Sequence, residues 1–291
     1  MWKLLQIELY KIFRRPRTFI AFGTIAALII MVQVGLKVDG KSYVEFMIST
    51  LGGSLDVDGN IMNGYLVCYV ILQMLLVNVP LLVTLIAADM ISGEANMGTL
   101  RLLLTKPYSR TQLMLAKFTA ATVYTLMLLV WLAFFALLVS MLVFGTDDLF
   151  LFKSSYIVLI KENDVFWRYC GAFCFAAISM TTVAALGFLL SVFAENSIGP
   201  IVATMSIIVF LTILSTMNIP LYSAIKPYLF VTHMNNWKEF FDQKVTAANE
   251  AIPGSIQNLP KILHSAWVLL VHIVLFVGTA IFVFRKKDVL S

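Results

Sequence analysis

Six long apolar runs dominate the chain, and polar or basic stretches separate them. The runs cover about 18–36, 64–91, 118–144, 166–193, 198–217 and 264–284. Each approaches or exceeds the roughly twenty residues a helix needs to cross a bilayer. The pattern predicts an all-α membrane protein with six transmembrane helices and a single domain over 1–291. Ahead of the first run lies MWKLLQIELYKIFRRPR. Trp2, Leu5, Leu9, Ile12 and Phe13 recur there at helical spacing, with Lys3, Lys11, Arg14 and Arg15 between them. This predicts an amphipathic helix in the headgroup region over 1–17. Pro16 stops it, because the residue before proline disfavours helix. The second run is long for one span, so it tilts or projects.

The intervening stretches differ in kind. Residues 37–63 read as polar and turn-rich. Residues 145–165 place acids on both sides of an apolar middle and suit the membrane surface. The stretch 218–263 is too apolar for a free loop, and Pro220 and Pro227 break it too often for a span. Tyr222, Tyr228, Trp237 and Phe240 suit an interface, so re-entrant or interfacial helices are expected there.

Composition agrees: 60% of residues are hydrophobic and 13% charged, against about 25% charged in soluble domains. The mean hydropathy is +0.90. Basic residues concentrate in the short flanks 1–17, 92–117 and 285–287, and acids lie mostly in the other segments. From that bias both termini are expected in the cytoplasm. The first run is too long for the apolar part of a signal peptide and is expected to stay as a span. Cys68, Cys170 and Cys174 lie inside apolar runs with no metal-binding neighbours and read as small fillers.

One stretch stands apart: SGEANMGTLRLLLTKPYSRTQLMLAK, residues 92–117. Gly93 and Gly98 bracket a turn. Thr99–Thr105 reads as a short helix with Leu100, Leu103 and Leu104 on one side and Arg101 on another. Lys106-Pro107 breaks it. Ser109 followed by Gln112 fits a capping box that starts the next helix. An exposed leucine ridge suits either a groove on a partner or lipid headgroups. The two glycines have the spacing of a phosphate-binding loop, but Thr99 stands where that loop needs lysine.

Other candidates are single polar residues in the runs. Asp89 is costly inside a bilayer and is expected to pair with a nearby Lys or Arg, or to gate. His272 reads as a packing histidine or a proton relay. Gln73 and Asn78 read as hydrogen bonds between helices or as pathway lining. His233 and His264 are a faint metal candidate. No catalytic set and no metal site is expected.

The motif SGE…GTLRLLLTKPYSR between the second and third runs resembles the permease subunit of ABC-2-type ABC transporters. ELYKIFRRPRT and KPYLFVTHMNNW are similar to family segments at the same places. The resemblance implies an exporter-like permease, not an enzyme. By resemblance Glu94, Gly98, Thr99, Leu100, Arg101, Lys106, Pro107 and Arg110 form a coupling helix. That helix docks a separate ATPase subunit, present in two copies, which binds ATP and Mg. This chain then binds no cofactor and no nucleic acid. Its other partners are the lipid bilayer and a second permease copy or a related permease. A non-transporting scaffold that docks a soluble partner through the same loop is the alternative.

Overall fold

The computed structural model describes residues 1–50, 61–75, 78–152, 157–217, 224–246 and 251–287. Helix α1 is Trp2–Arg14, and Pro16 opens α2, Pro16–Thr50. Proline suits that first helical position, where its missing N–H costs nothing. α2 bends at Asp39 and continues as helix, where the sequence suggested turns. Residues 51–60 of that stretch lie outside the described residues.

The second apolar run is not one helix. It divides into α3, Gly64–Met74, and α4, Asn78–Ala87, bent by 56°. A third piece, α5, Asp89–Asn96, follows. Pro80 explains part of the break, since it has no N–H for the preceding turn. Gly93 lies inside α5 and not in a turn. The turn falls at Gly98 alone, whose φ of +69° is left-handed and suits glycine. The short helix α6 is Thr99–Leu104.

The capping box at Ser109 and Gln112 is formed in both directions and starts α7, Arg110–Ala133. A π-helical turn, Phe134–Val139, joins it to α8, Ser140–Phe144. Gln33 of α2 donates to the Phe135 carbonyl and the Ser140 hydroxyl, both at 2.9 Å. It thereby satisfies polar groups beside the π turn.

The surface segment after α8 is an antiparallel hairpin, β1, Leu149–Phe152, with β2, Ile157–Ile160, and Leu149 pairs with Ile160. Its only strand signal in the residues themselves is their apolar character. α9, Glu162–Ser191, is the hub, packed against α4, α7 and the two later apolar helices over 198–216 and 259–286. α10 is Ile198–Thr216, and α12, the last apolar helix, is Leu259–Lys286. Between them two short 3-10 turns flank α11, Phe230–Met234. Residues 218–223, with Pro220 and Tyr222, lie outside the described residues.

Among the described residues five helices are long and apolar enough to cross a membrane, or six if α3 and α4 form one span. The protein is thus an all-α multi-pass membrane protein with a small hairpin. Cys68 is buried as expected, whereas Cys170 and Cys174 are exposed on α9.

Candidate functional site

The bundle has two ends. The proximal end gathers Met1, the α4–α5 break, the α6 turn, the α9–α10 connection and Lys287. Arg110 marks it: its guanidinium donates to the carbonyls of Phe284, Arg285 and Lys287 at 3.3, 3.1 and 2.8 Å. Lys287 in turn donates to the Val192 carbonyl at 2.8 Å. Arg110 therefore ties the start of α7 to the end of α12, where free carbonyls favour a cation.

Beneath α6 lies a buried ion network. α1 buries Leu4, Glu8 and Ile12, a stripe at helical spacing that packs on α7. Glu8 meets Lys117 of α7 at 3.0 Å and Lys11 at 2.8 Å. Glu94 of α5 meets the same two cations, Lys11 at 2.8 Å and Lys117 at 2.6 Å. The Lys117–Glu94 contact is an ion pair without the direction of a hydrogen bond, since Glu94 Oε2 has no such partner. Each acid thus shares both bases. Burial works to raise the Glu8 pKa, but Lys117 and Lys11 overcome it and hold the carboxyl below its ordinary value. Burial likewise opposes the charge on Lys11, and Glu8 and Glu94 raise its pKa above the ordinary value.

Asp89 forms the second half of the network. Its carboxylate accepts from Arg15 and from the Ser197 hydroxyl, and Arg17 lies 3.4 Å away. Its cations come from the α1–α2 junction and not from the neighbouring loop. A methyl group on Gly93 would collide with this carboxylate, so glycine is required one turn later. Ser191 of α9 accepts from the backbone N–H groups of Ile91 and Ser92 at 3.0 and 2.9 Å. It caps the first turn of α5 from a neighbouring helix.

The docking candidates divide by side. Glu94 and Leu100 are buried, and Leu103 packs partly on the core. The ridge expected from the sequence therefore faces inward, and Leu104's side chain lies outside the described set. The outward face presents Gly98, Thr99, Arg101, Lys106 and Pro107. Leu102 is 67% exposed there and Tyr108 43%. The sequence reading missed Leu102. It lies between two inward positions, and only the direction in which α5 enters could have revealed its side.

The single polar residues sit elsewhere. Gln73 accepts from Lys238 at 3.1 Å. Asn78 is exposed at the start of α4. His272 is half-buried against Phe230 and Phe276, with Nδ1 2.8 Å from its own helix carbonyl at Val268. His233 Nε2 donates to the Pro227 carbonyl at 2.9 Å, and Nδ1 lies 2.9 Å from Ser265 Oγ. Both ring nitrogens are thus occupied. Among the described residues no group of three His, Cys, Asp or Glu is placed to hold a metal.

The distal end holds a residue that the sequence analysis did not single out. Arg168, fully buried in α9, pairs with Asp164 at 2.6 Å. It also donates to the carbonyls of Phe240 and Ser255, both at 2.7 Å. The i, i+4 spacing of an acid and a base beside an apolar run was the available signal.

Fold and site together define a helical multi-pass membrane protein whose proximal end carries a buried ion network under a short exposed helix. The chain belongs to the family described as protein of unknown function DUF2705, whose model matches residues 24–290. Over 119 residues it is 27% identical to the uncharacterized protein YhcI of Bacillus subtilis (strain 168). That match covers 39% of this chain and 37% of the relative.

Proposed function

We propose that this chain is the membrane-spanning subunit of an ABC-2-type transporter, an exporter driven by a separate ATPase subunit. In this reading α3 and α4 form one broken span, six spans cross the bacterial inner membrane, and the proximal end faces the cytoplasm. Two permease chains, identical or related, stand over two ATPase subunits that bind ATP and Mg. α6 is the docking element. The observation that carries the reading is the outward face of α6, with Leu102 exposed between Arg101 and Lys106.

Force applied to α6 reaches the bundle through α5. Ser191 links α5 to α9, the two acids Asp89 and Glu94 link it to α1 and α7, and Arg110 links the next turn to α12. The nucleotide supplies the bias between states, and this chain supplies the two arrangements.

The test is purification of the intact chain from its native membrane, with the bound proteins probed for an ATPase subunit. Leu102→Asp and Lys106→Glu are expected to abolish the complex while leaving the chain folded. An unchanged complex with both variants would overturn the docking assignment. A complex that forms but neither hydrolyses ATP nor responds to it in proteoliposomes would favour a scaffold.

A further inference from the structure

The break in the second apolar run opens a half-enclosed cavity of about 70 Å³. Leu75 and Pro80 come from the two sides of the break, Leu132 from α7, and Phe173 and Met180 from α9. Trp237, from the turn after α11, forms the roof. On the α9 side stand Ala172, Ala176 and Ser179. Larger side chains at these helically spaced positions would close the space. The Ser179 hydroxyl already donates to the Met234 carbonyl at 3.4 Å, so the walls ask little of a polar guest.

A water needs about 10–15 Å³ by this measure and two to four polar partners. The space is large enough for several waters, but apart from Ser179 and Asn235 the side chains that line it are apolar. Apolar cavities of this kind stay dry and take apolar guests. Interrupted apolar helices at membrane depth line cavities and mark binding sites. Next to the lining residue Trp237, Lys238 holds its ammonium 5.9 Å from the indole ring and donates to Gln73.

We propose that this cavity binds the end of a hydrocarbon chain belonging to an anionic amphiphile, with the head group near Lys238. The inference rests on the cavity and not on the ATPase reading. Membrane phospholipid and free fatty acid share this chemistry.

The test uses the intact chain in vesicles and two probes with a photoreactive diazirine near the chain end. One is a stearate and the other a phosphatidylglycerol, and labelled residues are mapped by mass spectrometry. Label is expected at Phe173, Met180 and Met234, displaceable by excess unlabelled stearate. Phe210 of α10, 65% exposed, serves as the non-displaceable control. Ala176→Phe is expected to cut pocket labelling about tenfold, equivalent to about 1.4 kcal/mol, with Phe210 labelling unchanged. Ala176→Leu does the same with a smaller side chain should the first variant fold poorly. Lys238→Glu lowers pocket labelling by both probes. Capture of phosphatidylglycerol names a bilayer lipid as the source, and capture of stearate alone names a free fatty acid. Pocket labelling that is not displaceable, or that neither Ala176 variant changes, overturns the proposal. Labelling indifferent to Lys238→Glu overturns the anionic head group.

Discussion

The two ends of the bundle both bury charge, but they do so differently. At the proximal end, Glu8, Lys11, Glu94 and Lys117 come from three helices and meet side chain to side chain. At the distal end a single pair, Asp164–Arg168, lies on one helix and reaches out to backbone carbonyls of the 226–258 segment. Asp164 also accepts from Trp167, Gln243 and the Gly254 amide. The proximal network cross-links whole helices, so its identity is spread over distant residues. The distal pair clips a loop to a rigid post through two carbonyls, one amide and one side chain of that loop. A cross-link can be rearranged by moving one helix, whereas a clip is either closed or open.

The largest effect is expected from opening the clip. Arg168→Ala leaves Asp164 without its cation, orphans two carbonyls and empties the volume of a fully buried side chain. Breaking a buried pair costs about 3–5 kcal/mol. Limited proteolysis should then cut the 226–258 segment first, with α1 still protected. Equal loss of protection at both ends would mean that the two clusters are one unit.

Next comes the cross-link. Lys117→Met leaves Glu8 and Glu94 to share Lys11, at a cost of about 3 kcal/mol. Adding Glu8→Gln should recover part of it, because one excess negative charge is removed. A double-mutant cycle that shows no Glu8–Lys117 coupling would break the comparison. Gly93→Ala should cost less, about 1–2 kcal/mol, by displacing the Asp89 carboxylate from Arg15 and Ser197. Gly93→Ala combined with Asp89→Ala should then lose little beyond Asp89→Ala alone.

These contrasts explain what could be read from the chain. Five apolar runs, the Pro16 stop and the Ser109–Gln112 cap are local signals, and each appears in the structure where its residues placed it. The α3–α4 break was hidden, because a proline near a helix start does not say whether the preceding turn bends by 56° or continues. The inward rotation of Leu100 was hidden as well. It depends on Gly98 turning α6 against α5, and helical spacing alone does not say which stripe faces the protein. Asp89 was legible as a costly acid, but its partners, Arg15 and Arg17, lie more than seventy residues away. Glu8 and Lys117 gave still less warning, since each looks like an ordinary surface charge until the other is placed beside it.

The smallest effect separates the ends by pH. Burial lowers the His233 pKa below 6.5, assisted by the nearby His264, His272 and Lys261 and opposed by the Pro227 carbonyl. A base with a lowered folded pKa binds its proton more readily when unfolded. Its contribution is therefore complete above pH 6.5 and is lost as pH falls from 6.5 through the folded value. At the proximal end, Glu8 has a pKa below 4.5 in the folded chain. Its contribution is complete above pH 4.5 and is lost only as pH falls through that lower value. Lys11 is raised above 10.5 and contributes fully below that pH. Between pH 6.5 and 4.5 the distal segment should therefore loosen while α1 stays fixed. Hydrogen exchange at residues 230–241 and 4–12, followed across that window, measures both at once. His233→Asn should make the distal protection, taken relative to the intrinsic exchange rate at each pH, independent of pH there, and simultaneous loosening of both ends would show that His233 and Glu8 do not act separately.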